Sequence, residues 1–362
     1  MLELLKFDVI KNLVRKNRIE IDSVVFRLHY IYTMLILLVF CAILSAKQYV
    51  GEPILCMERK DIDKHVMDTY CWIHGTFTVK KPNMSREGSV FPGINSKYQN
   101  EEHFYQHNYY QWVCFFLFFQ SILFYAPRWM WKHYEDGLIQ ILSLKSNNIM
   151  CDETQKREST TTVVKFLHES MGCHDCYALC YFACELLCLI NAISQMFLVD
   201  VFLNGEFLNY GIEVIKYNMN DNNNSVINPM LETFPRMAAC LFYYYGSSGD
   251  IRKIDNLCVL TLNVINEKIF IFLWFWFIIL ILLSSMSVVY RIVLIISGKM
   301  RLYILSIRYR LVRETYLELL IKRLSVGDWF IIYMLGKNIN RFILTEILCE
   351  FWKRVNGTVK NV

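Results

Sequence analysis

The sequence predicts an all-α membrane protein with four transmembrane helices, a cytoplasmic helical region and disulfide-bonded extracellular loops. The first observation is composition, since 55% of the 362 residues are hydrophobic and only 20% are charged. The second is that four apolar segments approach the ~20 residues with which a helix crosses about 30 Å of hydrocarbon. The third is the distribution of lysine, arginine and cysteine around these segments, which predicts their orientation.

The predicted spans are residues 28–46, 109–127, 176–199 and 269–290. The last, "IFIFLWFWFIILILLSSMSVVY", contains 22 residues without a charge and gives the strongest signal. The third is weaker, because Glu185, Asn191 and Gln195 interrupt it. A carboxylate inside a membrane avoids lipid, so Glu185 should face the bundle interior or water, or stay protonated. Structural pairing and a functional role facing water both remain open for it.

The bias of lysine and arginine predicts that both ends of the chain are cytoplasmic. Residues 1–27 hold six basic and four acidic side chains, and the helical tail at 291–362 holds thirteen basic and five acidic ones. The loop at 47–108 is balanced and the loop at 200–268 is acidic, so both should be extracellular. Four spans with both ends inside make the loop at 128–175 cytoplasmic by parity.

Each predicted extracellular loop contains two cysteines. An even number of cysteines in an oxidising space indicates disulfides, but four cysteines allow three pairings and the sequence does not choose among them. These four cysteines are Cys56, Cys71, Cys240 and Cys258. Asn83 and Asn223 begin N-x-S matches in the same loops, so both are candidates for N-glycosylation.

Five further cysteines surround the start of the third span, at spacings of three and four that predict one stripe along a helix. Close helix packing is the favoured interpretation, with acylation near the inner membrane face or a metal site as alternatives. The five are Cys173, Cys176, Cys180, Cys184 and Cys188.

Glu102, His103 and His107 would have a spacing suitable for zinc if they lay on a helix. A solvated segment explains them better, and no metal or cofactor is predicted.

Residues 2–16 form an amphipathic pattern of helical period. Such a helix could lie on the inner headgroups or fold back into a pore mouth, with its polar side toward water. The charged residues of the second interpretation are Asp8, Lys11, Arg15 and Lys16. In the tail, the pattern predicts a helix from Arg291 through residue 324, a turn at Gly327-Asp328 and a second helix over 328–355.

No phosphate-binding glycine loop, nucleophile elbow or pair of inward carboxylates is evident, so the sequence does not predict an enzyme. It also gives no indication of nucleic-acid binding. The function classes that remain are a channel and a four-span adhesion or scaffold protein without conduction. A tetraspanin is disfavoured because the CCG motif expected in its large loop is absent.

The stretch "YYQWV" stands at the border between the first outer loop and the second span. Trp and Tyr prefer the level of lipid headgroups, so the stretch is typical of an interfacial anchor. It also resembles the signature of the innexins, the invertebrate gap-junction proteins, as do "IDSVVFRLHY" at 21–30, "FYAPRWMWK" at 124–132 and "GDWFIIYMLGKNI" at 327–339. The residues of the signature are Tyr109, Tyr110, Gln111, Trp112 and Val113.

The resemblance covers nearly the whole chain and implies a channel subunit of the plasma membrane. By family analogy, eight subunits ring a pore for ions and small solutes, and two such hemichannels dock between cells through their outer loops. It further implies disulfides that tie the first loop to the second, an N-terminal helix in the cytoplasmic funnel, and mixed assemblies with other innexins. Some parasitoid-wasp viruses carry related genes, and nothing in the residues separates a viral from a host origin.

Overall fold

The computed structural model describes residues 19–58, 62–79, 104–147, 153–219, 228–309, 312 and 314–360. Several predicted features lie outside these ranges, namely the helix at 2–16 with Asp8, Lys11, Arg15 and Lys16, the glycosylation candidates Asn83 and Asn223, and Glu102 and His103. The orientation and the loop boundaries relative to a membrane remain predictions.

Among the described residues, four helices are long and apolar enough to cross a membrane, which confirms the predicted four-span helical fold. They are α1 (Val24–Tyr49), α3 (Val113–Glu135), α6 (Asp175–Phe202) and α9 (Thr261–Ile296). Each contains most of one predicted apolar segment. The 36 residues of α9 measure about 54 Å at 1.5 Å per residue, so this helix is longer than the hydrocarbon layer is thick. Within α1, residues Leu28–Thr33 form a π-helical segment.

The chain divides into two compact units, and the division falls inside all four long helices. We call the first the terminal unit; its described residues lie within 19–32, 124–190 and 280–360. We call the second the disulfide unit; it comprises Thr33–Leu123 and Asn191–Ile279.

The terminal unit packs short helices against the adjoining parts of the long ones, around a core that includes Trp131, Tyr181, Phe330 and Leu335. Its short helices are α4 (Leu138–Asn147), α5 (Glu153–Glu169), α10 (Gly298–Arg308), α11 (Glu314–Arg323), α12 (Val326–Asn338) and α13 (Arg341–Lys360). Helix α13 packs along α5, and α12 contacts α4.

The tail therefore forms four helices where the sequence pattern predicted two, and the predicted turn at Gly327-Asp328 is wrong. Both residues lie in the first turn of α12, because Ser325 caps this helix. The Ser325 hydroxyl accepts from the Asp328 N–H, and the Asp328 carboxylate accepts from the Ser325 N–H, which is a capping box. A second break separates α12 from α13, where Ile339 takes an extended conformation.

The disulfide unit contains a five-stranded antiparallel sheet that the sequence analysis did not predict. Its strands are β1 (Leu55–Cys56), β2 (Thr76–Val79), β3 (Phe104–His107), β4 (Met237–Tyr245) and β5 (Ile251–Val259), in the spatial order β1-β5-β4-β2-β3. Strands β4 and β5 form a hairpin in which Tyr245 pairs with Ile251. Helices α2 (Lys64–His74), α7 (Phe207–Met219) and α8 (Pro229–Thr233) complete the unit.

Candidate functional site

Glu185, the carboxylate predicted inside the third span, is paired with Arg291. The Arg291 Nε and Nη2 atoms donate to the two Glu185 oxygens at 2.6 and 3.0 Å. The two side chains are 4% and 6% exposed, so the pair is almost fully buried. The Tyr181 hydroxyl donates a third hydrogen bond to Glu185, at 2.9 Å. Of the two roles left open by the sequence, this bidentate geometry supports structural pairing.

A second buried ion pair joins Asp22, which precedes α1, to Arg128 on α3. Their charged atoms lie 2.5 Å apart. The Tyr30 hydroxyl donates to the other Asp22 oxygen at 2.7 Å, and the Arg128 guanidinium lies 5.0 Å from the centre of the Tyr30 ring. Asp22 is thus satisfied by a cation and a hydroxyl, as a buried carboxylate requires.

Backbone hydrogen bonds hold the residues around Asp22 against the same unit. The Tyr181 hydroxyl, which donates to Glu185, also accepts from the Ser23 N–H at 3.0 Å. The Asn338 side chain accepts from the Glu20 N–H at 2.5 Å and donates to the Glu20 carbonyl at 2.9 Å. We call Glu20, Asp22 and Ser23, with these partners, the N-terminal anchor. The predicted pore-entrance charges precede this anchor in the chain.

Asp328 connects α12 to the loop before α6. Its carboxylate accepts from the Gly172 N–H at 2.9 Å and from His174 Nδ1 at 2.8 Å. Burial favours a raised pKa, but these hydrogen bonds and that from Ser325 outweigh it and hold the pKa of Asp328 below its ordinary value. In the reverse direction, the Asp175 carboxylate accepts from the Gly327 N–H at 2.7 Å. The two helix starts are therefore joined reciprocally.

The cysteines around the start of α6 do not share one face, so the predicted stripe is wrong. Cys173 precedes the helix and is exposed, Cys176 is exposed, and Cys184 and Cys188 are buried. The reason is geometric: four residues turn a helix by about 400°, so each step of four moves the side chain about 40° further round. Three such steps carry the series from the outside to the core. His174 faces Asp328, so it does not join these thiols in a metal site.

His107 lies in β3 and not on a helix, so the zinc interpretation, which required helical spacing, is wrong. The His107 Nε2 atom makes a hydrogen bond of 2.7 Å with the Thr78 hydroxyl on the paired strand β2. Cross-strand pairing explains this side chain.

Asn191 and Gln195, which weakened the prediction of the third span, are hydrogen-bonded to each other within the disulfide unit. The Gln195 amide donates to the Asn191 oxygen at 3.2 Å and accepts from the Gln120 amide of α3 at 3.0 Å. Buried amides that bond between helices remain compatible with a membrane span.

Two disulfides connect the first outer loop to the second. Cys56 on β1 pairs with Cys258 on β5, and Cys71 on α2 pairs with Cys240 on β4. The sulfur atoms of Cys56, Cys71 and Cys258 lie within 4.8 Å of one another, so the bridges are adjacent. The first bridge joins directly opposed strand residues, and the second holds α2 against the sheet. Two of the three possible pairings would join the loops, and the structure contains the one that pairs Cys56 with Cys258 and Cys71 with Cys240.

The stretch "YYQWV" packs mainly within the disulfide unit. Tyr109, Tyr110 and Gln111 form a 3-10 turn, and Tyr110 is buried against the Trp72 ring at 4.9 Å. The Gln111 amide donates to the Trp72 carbonyl. Trp112 is 60% exposed, so within this stretch it is the side chain suited to an interfacial position. The stretch is therefore a packing element as well as a border.

A family model described as Innexin matches residues 22–355, nearly the whole chain. The chain belongs to the innexin family. Innexins are gap-junction channel proteins, so this chain is a channel subunit of the plasma membrane with four spans. The family resemblance identified from the sequence is thereby confirmed.

Curated relatives agree along the full length of this innexin. It is 44% identical to innexin shaking-B of Drosophila melanogaster over 351 residues, which cover 96% of this chain and 94% of that protein. It is 40% identical to innexin inx2 of the same species over 353 residues, covering 97% and 96%. Innexin inx2 of Schistocerca americana is 39% identical over 354 residues, covering 97% and 98%.

Sequence reasoning missed several residues that organise the terminal unit of this innexin. Asp22 and Arg128 lie inside stretches that carry the family resemblance, and Asp328 was interpreted as part of a turn. Arg291 was counted only as a tail charge. The available signal was the position of Arg128 and Arg291 directly after predicted spans, which marks them as possible partners for a buried carboxylate without saying which one.

Proposed function

We propose that this innexin assembles with copies of itself, eight per ring by family analogy, around a pore for ions and small solutes. We further propose that rings on adjacent cells dock through the disulfide unit, and that other innexins can join the ring. Conduction requires no covalent chemistry, so no enzymatic activity is proposed. Membrane lipids surround the assembly, and nucleic acid has no role in it.

The structure of the disulfide unit favours docking, because the end of its β4–β5 hairpin carries exposed apolar side chains and two disulfides hold the sheet. Tyr245 is 75% exposed and Ile251 is 62% exposed, and the two residues are paired at the end of the hairpin. Protein interfaces commonly have aromatic and apolar cores, and a preorganised surface loses little entropy on contact. The single observation that carries the proposal is this exposed hairpin end on a sheet held by two disulfides.

The N-terminal anchor supports a pore-entrance role for Asp8, Lys11, Arg15 and Lys16. It fixes residues 20–23 against α3, α6 and α12, so the segment that carries these charges is joined to a fixed point.

A bulky N-glycan on Asn223 or Asn83 would oppose docking and favour a lone hemichannel, since docking excludes water from the contact.

The test is expression of this chain alone in paired cells that lack innexins. Homomeric docking predicts junctional conductance between the cells, and a functional hemichannel predicts dye uptake by single cells. Replacing Tyr245 and Ile251 by Ser should abolish junctional conductance and leave dye uptake unchanged. Conductance equal to that of the parent would contradict docking through the hairpin. A chain that reaches the surface but gives neither signal would favour the scaffold alternative for the homomer.

A further inference from the structure

An exposed apolar row runs along α6 from the thiol of Cys176. Its members alternate at spacings of three and four, which places them on one helix face. They are Cys176, Leu179, Ala183, Leu186 and Ile190, all exposed in the terminal unit, with Leu179 at 66%. From first to last the row measures about 21 Å, which exceeds the ~15 Å depth of one hydrocarbon leaflet.

The chain around this end of α6 places the thiol in a reducing compartment. Residues that follow α6 lead to Cys240 and Cys258, both oxidised in disulfides, so the C-terminal end of the helix faces the oxidising side. A spanning helix then brings its N-terminal end to the cytoplasmic side. Cys173 and Cys176, at this end, are free and exposed, whereas Cys184 and Cys188 are buried.

The neighbouring side chains leave these two thiols without a competing role. His174, between them, is buried and bonded to Asp328, and Asp175 accepts from the Gly327 N–H. A metal site would need further ligands, and His174, the histidine between the two thiols, is already bonded to Asp328. The exposed row beneath Cys176 supplies a surface for an apolar chain that starts at the sulfur.

We propose that Cys176, with Cys173 as a secondary acceptor, carries a long-chain fatty acyl group in thioester linkage. The thiolate attacks the carbonyl carbon of an acyl-coenzyme A. The new C–S bond to cysteine forms as the C–S bond to coenzyme A breaks. Coenzyme A leaves as a thiolate and takes up the proton that the cysteine thiol has lost, so no oxidant is needed. The acyl chain lies along the row from Leu179 to Ile190, within the inner leaflet.

Cys349 provides a matched control within the same chain. It is also a free, exposed thiol of the terminal unit, but it lies on α13, far along the chain from the last long apolar helix. Its surroundings are a separate cavity of about 260 Å³ between α11 and α13, lined by residues such as Leu317, Leu348 and Trp352. If exposure alone determined acylation, Cys173, Cys176 and Cys349 would all be acylated. The proposal expects acylation only of Cys173 and Cys176, at the start of α6.

The experiment is thioester exchange on the full-length chain expressed in cells. Free thiols are blocked, hydroxylamine cleaves thioesters, and a polymer maleimide then adds one mass increment for each released thiol. The parent and Cys349→Ser should both gain a hydroxylamine-dependent shift. Cys173→Ser/Cys176→Ser should lose it, and Cys176→Ser alone should lose most of it.

Three outcomes would overturn the proposal: no shift in the parent, an unchanged shift in the double variant, or loss of the shift in Cys349→Ser. Mass spectrometry of the parent locates the acyl group on a peptide without any substitution, so a double variant that fails to fold does not prevent a decision. An acylated peptide containing Cys176 supports the proposal, and acylation confined to other peptides contradicts it.

Discussion

Glu185 and Arg291 form a bidentate ion pair that is buried between two helices predicted to span the membrane. A buried carboxylate is tolerated when a cation and hydrogen bonds satisfy it, and Tyr181 donates the third hydrogen bond to Glu185. Because Tyr181 also accepts from the Ser23 N–H, the ion pair is linked to the N-terminal anchor. The ion pair between α6 and α9 and the N-terminal anchor therefore share the Tyr181 hydroxyl.

Removing one partner of this pair should be far more damaging than removing both. Arg291→Leu leaves a buried, uncompensated carboxylate and should lower the free energy of unfolding by about 3–5 kcal/mol. Glu185→Leu/Arg291→Leu should recover much of this loss, as thermal melting of the detergent-solubilised protein would show. The control is Glu318→Ala, which breaks an exposed pair with Lys322 and should change stability by less than about 1 kcal/mol. Equal melting of parent and Arg291→Leu would contradict the ion-pair assignment.

A methyl group at Gly327 should separate α12 from the loop before α6. An added Cβ would lie 2.2 Å from the carbonyl carbon and oxygen of His174, which are backbone atoms with little freedom to move. Gly327→Ala should therefore destabilise the protein by about 1–3 kcal/mol. Gly298, at the start of α10, is the control, since its nearest neighbour would be 3.7 Å away. Melting temperatures of the two variants check this, and equal values would refute the close approach.

The hydrogen bonds that Asp328 accepts from Gly172, His174 and Ser325 should make the stability of the protein depend on pH in the acidic range. The folded pKa of Asp328 is lowered, so the stabilisation is fully present above the ordinary aspartate pKa of about 3.9 and is lost as pH falls through the lowered value. Asp328→Asn should melt earlier than the parent at neutral pH and lose less stability between about pH 5 and pH 2. The exposed control Glu318→Gln should retain the slope of the parent. Parallel acid slopes for the parent and Asp328→Asn would rule out this contribution.

Loss of either disulfide should abolish cell-to-cell coupling. The bridges close loops of 202 and 169 residues, and closing the first such loop removes unfolded-state freedom equivalent to about 5 kcal/mol. Cys56→Ser and Cys258→Ser, which remove the first bridge, and Cys71→Ser and Cys240→Ser, which remove the second, should each eliminate junctional conductance. Cys114→Ser should preserve it, because Cys114 is a free thiol in the same unit. Normal coupling in Cys71→Ser would contradict the structural role of the bridge.

The charge at Lys11 should influence ion selectivity if the N-terminal segment borders the pore. Positive side chains beside the permeation path favour anions, so Lys11→Glu should shift selectivity toward cations. The reversal potential in asymmetric salt measures this shift, with Lys11→Arg as the control of unchanged charge. An unaltered reversal potential in Lys11→Glu would favour a helix lying on the inner membrane surface.

The sequence by itself determined the four spans and the resemblance to innexins. A span is a local property, because about 20 consecutive apolar residues are unfavourable in water wherever the rest of the chain lies. The same holds for the apolar run that contains Glu185. Motifs such as "YYQWV" are likewise continuous in the chain, so they could be identified without coordinates.

Only the tertiary structure decided which residues meet. Glu185 and Arg291 are 106 residues apart, as are Asp22 and Arg128, and no local pattern assigns a partner over such a distance. The choice among three disulfide pairings also required the tertiary structure. The sheet required it too, because its strands come from two separate loops. The exposure of Cys176 and the burial of Cys188 depended on the phase of α6 against its neighbours. Contacts, burial and pairing are properties of distance in space, which a linear order of residues does not fix.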